Sequence, residues 1–348
     1  MDEVKMLVAD ESAVYRNIFI SVASEFDGKV NVVCVSSGDA VIEQIKHSDF
    51  DIVVLDADLG DLDLLVTKIM SEISNAYILI MARPSSASDT LFGEMLIKGV
   101  AECITKPIFS SYDENVDTVR SKLSDIFDLL YKKSTNSKTR QEPATQNAEK
   151  GSINPFKPDI VLIASSTGGP PVLETILSKI EADFPAPVLI VQHMLTHFTD
   201  ILAKNLDQKS KLRVKSAEAG ETITAGTVYI APGGTHMKLD SKGMIILDES
   251  PLVNGVRPSA DVLFSSVAKS FPSLCVHAII LTGMGKDGEN GIAALKDKGN
   301  CYCIAQSEET CVVYGMSRVV VERGHADLIL GPDEITEKIE RLFYESYQ

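Results

Sequence analysis

The stretch Val161-Leu162-Ile163-Ala164-Ser165-Ser166-Thr167-Gly168-Gly169-Pro170-Pro171 decides how the C-terminal part of this chain reads. Small and branched apolar residues in an unbroken run predict a buried strand. The run stops at two hydroxyl residues and two glycines, and the prolines then open an amphipathic segment. Proline is tolerated in the first helical turn, where its missing N–H costs nothing. The reading is therefore strand, tight turn, helix N-terminus. In an open α/β sheet such a turn lies in the crevice beyond the strand ends, where these folds bind ligands. The helix end adds free backbone N–H groups that can face developing negative charge. Ser166 is a candidate nucleophile. The same residues also suit a plain Gly/Ser turn that caps a helix, so the chemistry depends on whether the chain supplies a base and an acid.

The chain has 348 residues, long enough for two domains, and 45% of them are hydrophobic. A net charge of −16 argues against a general nucleic-acid binder, which needs a basic footprint. No apolar run reaches a bilayer-spanning length, and the start Met1-Asp2-Glu3-Val4-Lys5 has none of the parts of a signal peptide. The expected location is the cytoplasm, without membrane insertion, and the expected state is a monomer. Of the six cysteines, none forms a Cys-x-x-Cys pair. Cys301 and Cys303, two apart, read as core positions on one strand face rather than as metal ligands.

Residues 1–131 alternate five strand-like runs with five helical ones, which predicts a parallel sheet with helices on both faces. Ser12 is placed to cap the first helix, and the last helix spans Asn115 to Leu130. The chemistry lies at strand ends. Met6 to Ala9 leads into Asp10 and Glu11, and the run from Asp51 ends on Asp56. Carboxylates gathered on one rim repel unless a cation neutralises them, and hard oxygen ligands suit Mg²⁺. Lys106, at another strand end, can pair with Asp56 or with a phosphoryl group on it. From residue 132 to 157 the chain turns polar, with almost no apolar side chains, and reads as a flexible tether.

Residues 158–348 again read as α/β, with short hairpin-like strands around 212–247. Three strands deliver polar residues to one edge: Ser166, His193 after the run to Val191, and Asp287 in the turn after Leu281. A serine hydroxyl needs a base within hydrogen-bond reach, and the imidazole needs a carboxylate on its other nitrogen. The chain order Ser…His…Asp and the lack of a Gly-x-Ser-x-Gly pattern set this turn apart from the α/β-hydrolase elbow. His193 and His197 stand four apart, but His193 belongs to a strand end, which disfavours a shared metal.

Two resemblances follow. Asp10-Glu11, Asp56 and Lys106-Pro107 resemble the acidic pair, phospho-acceptor and lysine of response-regulator receivers, which have a flavodoxin-like five-stranded parallel sheet. That likeness implies that Asp56 accepts a phosphoryl group from a chemotaxis histidine kinase. It also implies Mg²⁺ on Asp10, Glu11, Asp56 and the Asp58 carbonyl. The usual switch residues differ, because Ala82 stands where Ser or Thr is common and Cys103 where an aromatic is common. This predicts phosphorylation at Asp56 with weak or unconventional coupling to output.

The second likeness is to the chemotaxis protein-glutamate methylesterases, the CheB family. It rests on Ala164 to Gly169, Gln192-His193-Met194, Ala231-Pro232-Gly233-Gly234-Thr235-His236-Met237, Arg257-Pro258-Ser259-Ala260-Asp261, Leu281 to Gly288 and Tyr314-Gly315-Met316. Leu195-Thr196-His197 and Lys286 depart from the usual pattern. The resemblance implies a doubly wound α/β methylesterase domain over 158–348 and a triad of Ser166, His193 and Asp287, with the Met284 N–H facing the oxyanion. No cofactor is expected for the esterase. The implied substrates are glutamate γ-methyl esters on the cytoplasmic domains of chemoreceptors, with deamidation of receptor glutamines as a second activity. The receiver would block the active-site edge until phosphorylated. A non-catalytic, phosphorylation-dependent protein of the chemoreceptor array and a small-ester hydrolase are the rivals. A transcription regulator would need a basic DNA-reading element, which 158–348 lacks.

Overall fold

The computed structural model describes residues 3–26, 29–73, 76–84, 86–107, 111–137, 158–194, 196–299 and 301–344. The chain divides into two units, Met1–Ala144 and Thr145–Gln348.

The first unit runs β1 (Val4–Ala9), α1 (Ala13–Ser24), β2 (Val30–Val35), α2 (Gly38–Ile45), β3 (Ile52–Asp56), α3 (Leu62–Glu72), β4 (Tyr77–Ala82), α4 (Ser86–Lys98), β5 (Glu102–Thr105) and α5 (Tyr112–Ser137). Its sheet has the order β2-β1-β3-β4-β5, parallel throughout, as expected for the flavodoxin-like class. Every residue of β3 and β4 is buried, which is why these runs show no polar alternation. The strand order reverses between β1 and β3. Their carboxyl ends therefore flank the crevice that such a reversal opens, and Asp10 and Asp56 sit there.

Two details differ from expectation. Ser12 occupies the N-cap of α1, but its hydroxyl makes no capping bond; its backbone N–H instead donates to Asp10 Oδ1 at 2.8 Å. Helix α5 continues to Ser137, into the stretch 132–157 read as tether. Once a helix is nucleated, each added residue gains a hydrogen bond at little further cost, so a polar tail that could not start a helix can extend one. The rest of that stretch, 138–157, lies outside the described residues.

The second unit begins with β6 (Ile160–Ser165), α6 (Gly169–Leu177), β7 (Val188–Gln192), α7 (Thr196–Lys209), β8 (Arg213–Ser216) and β9 (Thr227–Ile230). It continues with β10 (His236–Leu239), β11 (Ile245–Asp248), α8 (Ala260–Ser270), β12 (Val276–Ile280) and α9 (Glu289–Lys296). It ends with β13 (Cys301–Gln306), α10 (Met316–Glu322), β14 (Leu328–Leu330) and α11 (Pro332–Tyr344). Seven strands form one parallel sheet in the order β14-β13-β12-β6-β7-β9-β8. Of the segments expected to be hairpin-like, β8 and β9 join this sheet. Only β10 and β11 form an antiparallel pair. The sequence reading did not identify α10 or β14; both are short, and β14 is only three residues long.

Residues Ile160, Leu162 and Ala164 of β6 face a core shared with Ala278 and Ile280 of β12, Leu263, Phe264 and Val267 of α8, Ile292 of α9 and Met316 of α10. Helix α6 packs on α7 and α11, and α11 lies on β13. Helices thus cover both faces. Cys301 and Cys303 are buried free thiols, in keeping with a packing role. Among the described residues no helix is long and apolar enough to cross a membrane.

Helices α8 and α9 meet at Gly291. A Cβ there would lie 2.6 Å from Phe264 Cβ and 3.2 Å from Asp261 Cα, atoms fixed to the backbone of α8. Alanine normally favours a helix over glycine, but here the overlap outweighs propensity. Gly291→Ala is expected to destabilise the second unit by about 1–3 kcal/mol, read as a lower chemical-denaturation midpoint.

Candidate active site

In the seven-stranded sheet the chain moves outward from β6 to β7 and on to the edge strand β8, places β9 between β7 and β8, and later starts β12 on the other side of β6. The reversal point is the β6–β12 boundary, so a crevice opens beyond their carboxyl ends. Ser166 follows β6, His193 follows β7, and Asp287 lies in the turn between β12 and α9.

Ser166 is held from three sides. Its N–H donates to Thr282 O at 3.0 Å, and its carbonyl accepts from Gly169 N at 2.8 Å and from Gln192 Nε2 at 3.0 Å. Gln192 also donates to the His193 carbonyl at 3.1 Å and accepts from Ser165 Oγ at 2.6 Å. The register of β6 and β7 pairs Ser165 with Gln192, and His193 N donates to Ser165 O at 3.0 Å. Ser166 and His193 are therefore the next facing positions beyond that pair. Ser166 Oγ makes no hydrogen bond among the described residues; catalytic hydrogen bonds of this kind often tighten only around substrate.

His193 Nε2 lies 2.8 Å from Asp287 Oδ2. This engages Nε2 with the carboxylate and leaves Nδ1 without a hydrogen bond among the described residues. That is the reverse of the ring orientation in which the acid holds Nδ1. Asp287 is almost fully buried. Its Oδ2 also accepts from Ala260 N at 2.6 Å, and its Oδ1 from Ser259 Oγ at 2.6 Å, Asn254 Nδ2 at 2.9 Å and Asp261 N at 3.3 Å. Burial pushes this carboxyl up, but the hydrogen bond and charge of His193, with the bonds from Ser259 and Ala260, outweigh it. The group is held below the ordinary carboxylate range.

The backbone donors identify the setting as the N-terminus of α8. Ser259, the N-cap residue, makes no capping bond and turns its hydroxyl to Asp287 instead. Asp287 thus occupies the anion site of α8. The favour is returned by Asp261, whose Oδ1 accepts from Gly288 N at 3.0 Å and Gly291 N at 2.8 Å at the start of α9. Its Oδ2 accepts from Asn254 Nδ2 at 2.8 Å and Asn290 Nδ2 at 3.0 Å. Buried His236 accepts from Ser259 N at its Nδ1, 3.2 Å away, and its Nε2 is 3.1 Å from Pro251 O.

Donors for an oxyanion are fewer at α6 than the sequence suggested. Gly169 N already bonds Ser166 O, and Pro170 and Pro171 have no N–H. Met284 is different. Gly283 N donates to Val313 O at 3.0 Å, but the Met284 N–H makes no hydrogen bond among the described residues, on a turn whose Met284 side chain is 39% exposed. This turn lies against the serine: a Cβ on Gly283 would be 2.6 Å from Ser166 Cβ. Gly315 in turn backs the loop, since its Cβ would meet Gly283 O at 2.5 Å.

In the first unit Lys106 Nζ lies 2.6 Å from Asp10 Oδ2 and 2.7 Å from Asp56 Oδ2, all three side chains being buried. Burial pushes the Asp10 carboxyl up beyond what Lys106 and the Ser12 N–H offset. Burial also opposes the lysine's charge, but its two carboxylate partners outweigh that and hold its pKa above the ordinary value. Asp56 Oδ1 is buried without a hydrogen-bond partner, a feature that suits a cation keeping several waters. Glu11, expected in the same cluster, is exposed, and its carbonyl accepts from Arg16 at 2.9 Å. Asp58 is exposed and its carboxylate reaches Arg83 at 3.5 Å. No group of three metal-ligating side chains is assembled among the described residues. Ala82 ends β4, and Cys103 Sγ lies 3.8 Å from Phe92 O of α4. Tyr15, not singled out from the sequence, stacks on Lys106 at 4.3 Å from ring centroid to Nζ, and its hydroxyl donates to the Pro107 carbonyl.

Sequence reasoning found Ser166, His193 and Asp287 but assigned no role to Gln192, Asn254, Ser259, Asp261 or His236. All but Asn254 lie inside quoted motifs. Asn254 had only an Asn-Gly turn signal.

The CheB methylesterase family model matches residues 161–339. A protein of Halalkalibacterium halodurans named protein-glutamate methylesterase/protein-glutamine glutaminase is 35% identical over 350 residues, 97% of this chain and 98% of its own. The protein of the same name from Thermotoga maritima is 34% identical over 349 residues, 97% of each chain. The crystal structure of the Thermotoga maritima CheB methylesterase catalytic domain aligns with a TM-score of 0.51 at 45% identity, covering 53% of this chain and 98% of that one.

Gly283→Ala is expected to abolish activity that depends on Ser166, because the new methyl overlaps the Ser166 Cβ; full activity would contradict the packing. Asp287, with its pKa lowered on folding, contributes stability that is present above its unfolded value and lost as pH falls through its folded one. The melting temperature of the native chain should therefore drop more steeply below about pH 4 than that of Asp287→Asn.

Proposed function

The chain belongs to the CheB methylesterase family, and on that premise we propose that it hydrolyses glutamate γ-methyl esters on the cytoplasmic domains of chemoreceptors, releasing methanol. The observation that carries this reading is the His193–Asp287 pair, its carboxylate buried, at the ends of the strands next to the one that carries Ser166. His193 Nδ1 takes the proton as Ser166 Oγ attacks the ester carbonyl, and Asp287 stabilises the imidazolium that forms. The Met284 N–H faces the oxyanion. The protonated His193 then gives its proton to departing methoxide. Water, deprotonated by the same nitrogen, cleaves the acyl-enzyme and returns Ser166. A glutamine side chain presents the same carbonyl with an amine leaving group, so deamidation follows the same path. The glutaminase in the relatives' names supports it.

Control belongs to the first unit in this reading. Asp56 Oδ1, the oxygen not tied to Lys106, attacks the phosphorus of a phosphohistidine on a chemotaxis kinase. Lys106 then compensates charge on the phosphoryl oxygens. Asp10 and Asp56 would hold Mg²⁺, with Glu11 and the Asp58 carbonyl as the further ligands of the receiver pattern; the ion supplies charge neutralisation. With Ala82 and Cys103 at the switch positions, coupling to the esterase is weak or unconventional.

Ser166→Ala should reduce methanol release from methylated receptor by a factor of about 10³ or more with an unchanged melting temperature. Substantial residual activity would exclude this nucleophile. Methanol release by the native chain should change little on adding a stable phosphoryl mimic such as beryllofluoride. A strong increase would show conventional gating despite Ala82 and Cys103.

A further inference from the structure

The turn 253–256 has no role in the chemistry above, yet it reaches the acid. Val253 and Val256 exchange backbone hydrogen bonds of 3.1 Å in both directions, closing a two-residue hairpin with Asn254 and Gly255 at its tip. Both tip residues have positive φ, 54° and 78°. That is the requirement of a type I′ turn. Among the described residues Asn254 is the single non-glycine residue in this conformation. Asparagine is the non-glycine residue that adopts this conformation most readily, so the turn by itself needs no further cause; what sets Asn254 apart is the surroundings of its side chain. The surroundings here are two carboxylates. An amide nitrogen carries two protons, and Asn254 Nδ2 gives one to Asp287 Oδ1 at 2.9 Å and the other to Asp261 Oδ2 at 2.8 Å. Nothing but the donor end of the amide can face two acceptors.

We propose that Asn254 is a positioning residue for the reaction: its side-chain amide bridges Asp287 and Asp261, fixes the rotamer that Asp287 presents to His193, and draws charge from the carboxylate. This rests on the reading of Ser166, His193 and Asp287 as the reacting set. The groups facing Asp287 are His193 from the end of β7, Asp261 from α8 and, through Ser259 N, His236 from β10. The one charged side chain flanking the turn, Arg257, is engaged through Nη1 with the carbonyls of Glu249 and Ser250. Without the Asn254 amide, Asp287 Oδ1 keeps only Ser259 and a longer contact to Asp261 N. More negative charge then remains on the carboxylate facing the imidazole. The protonated ring is favoured, and activity is lost at a higher pH on the acid side.

Asn254→Gly separates the roles, because glycine keeps the left-handed turn and deletes only the donor. Asn254→Asp also tolerates the turn but puts an acceptor where the donor was. The full-length chain and both variants are treated with a fluorophosphonate, in which Ser166 Oγ displaces fluoride, across a range of pH. Methanol release from methylated receptor is followed in parallel. Asn254→Gly should slow phosphonylation about tenfold at neutral pH, with the melting temperature near that of the native chain. The acid limb should move to higher pH by about half a unit, and further in Asn254→Asp. In the methanol assay kcat should fall while KM stays within about twofold. An unchanged rate, or a slower rate with an unmoved acid limb, would overturn the proposal and leave Asn254 a turn former. If the native chain is phosphonylated at Ser166 but releases no methanol, the substrate reading fails while the pH profiles still decide the role of Asn254. If the native chain is not phosphonylated, both fall.

Discussion

A buried carboxylate must be matched by donors, and that demand organises the second unit. Asp287 collects five hydrogen bonds, from the imidazole of His193, two side chains and two backbone N–H groups. The backbone donors come from the N-terminus of α8, so the acid that would serve the chemistry also caps a helix. Asp261 repeats the arrangement in the other direction on α9. The two helices are locked by exchanging carboxylates, and Gly291 lets them approach closely enough to do so. Leaving any of these buried groups unmatched would cost more than a surface bond is worth. Stability and site geometry therefore rest on the same contacts.

The serine turn follows a different constraint, that of space. Gly283 lies against Ser166 Cβ, Gly315 backs Gly283, and Gly169 packs on Ser165 and Gln192. The close approach lets Thr282 O reach Ser166 N and puts the Met284 turn beside Ser166. In the first unit the constraint is charge alone. Two buried carboxylates share one buried lysine, and Tyr15 covers that lysine from α1.

Much of this was legible in order. The continuous apolar runs of β3, β4 and β6 mark them as strands buried on both faces, and strand–helix alternation then implies parallel sheets. Polar residues directly after such strands must fall on the functional edge, which is why Asp10, Asp56, Lys106, Ser166 and His193 could be picked from their positions. Glu11, next in the chain after Asp10, is exposed where Asp10 is buried, because successive residues beyond a strand end need not point the same way. The missing α10 and β14 are short elements that carry too few residues for a period to register.

The sequence by itself determined the two parallel sheets, the strand ends that carry the chemistry, and the family likeness of its motifs. These depend on local periodicity and on residue type at single positions, which a linear reading retains. Only the tertiary structure decided that His193 turns Nε2 to Asp287, that α6 spends its free N–H on Ser166, and that Asn254 bridges Asp287 and Asp261. Those are pairings between residues far apart in the chain, fixed when the sheet reversal, the two helix N-termini and a tight hairpin converge on one buried charge.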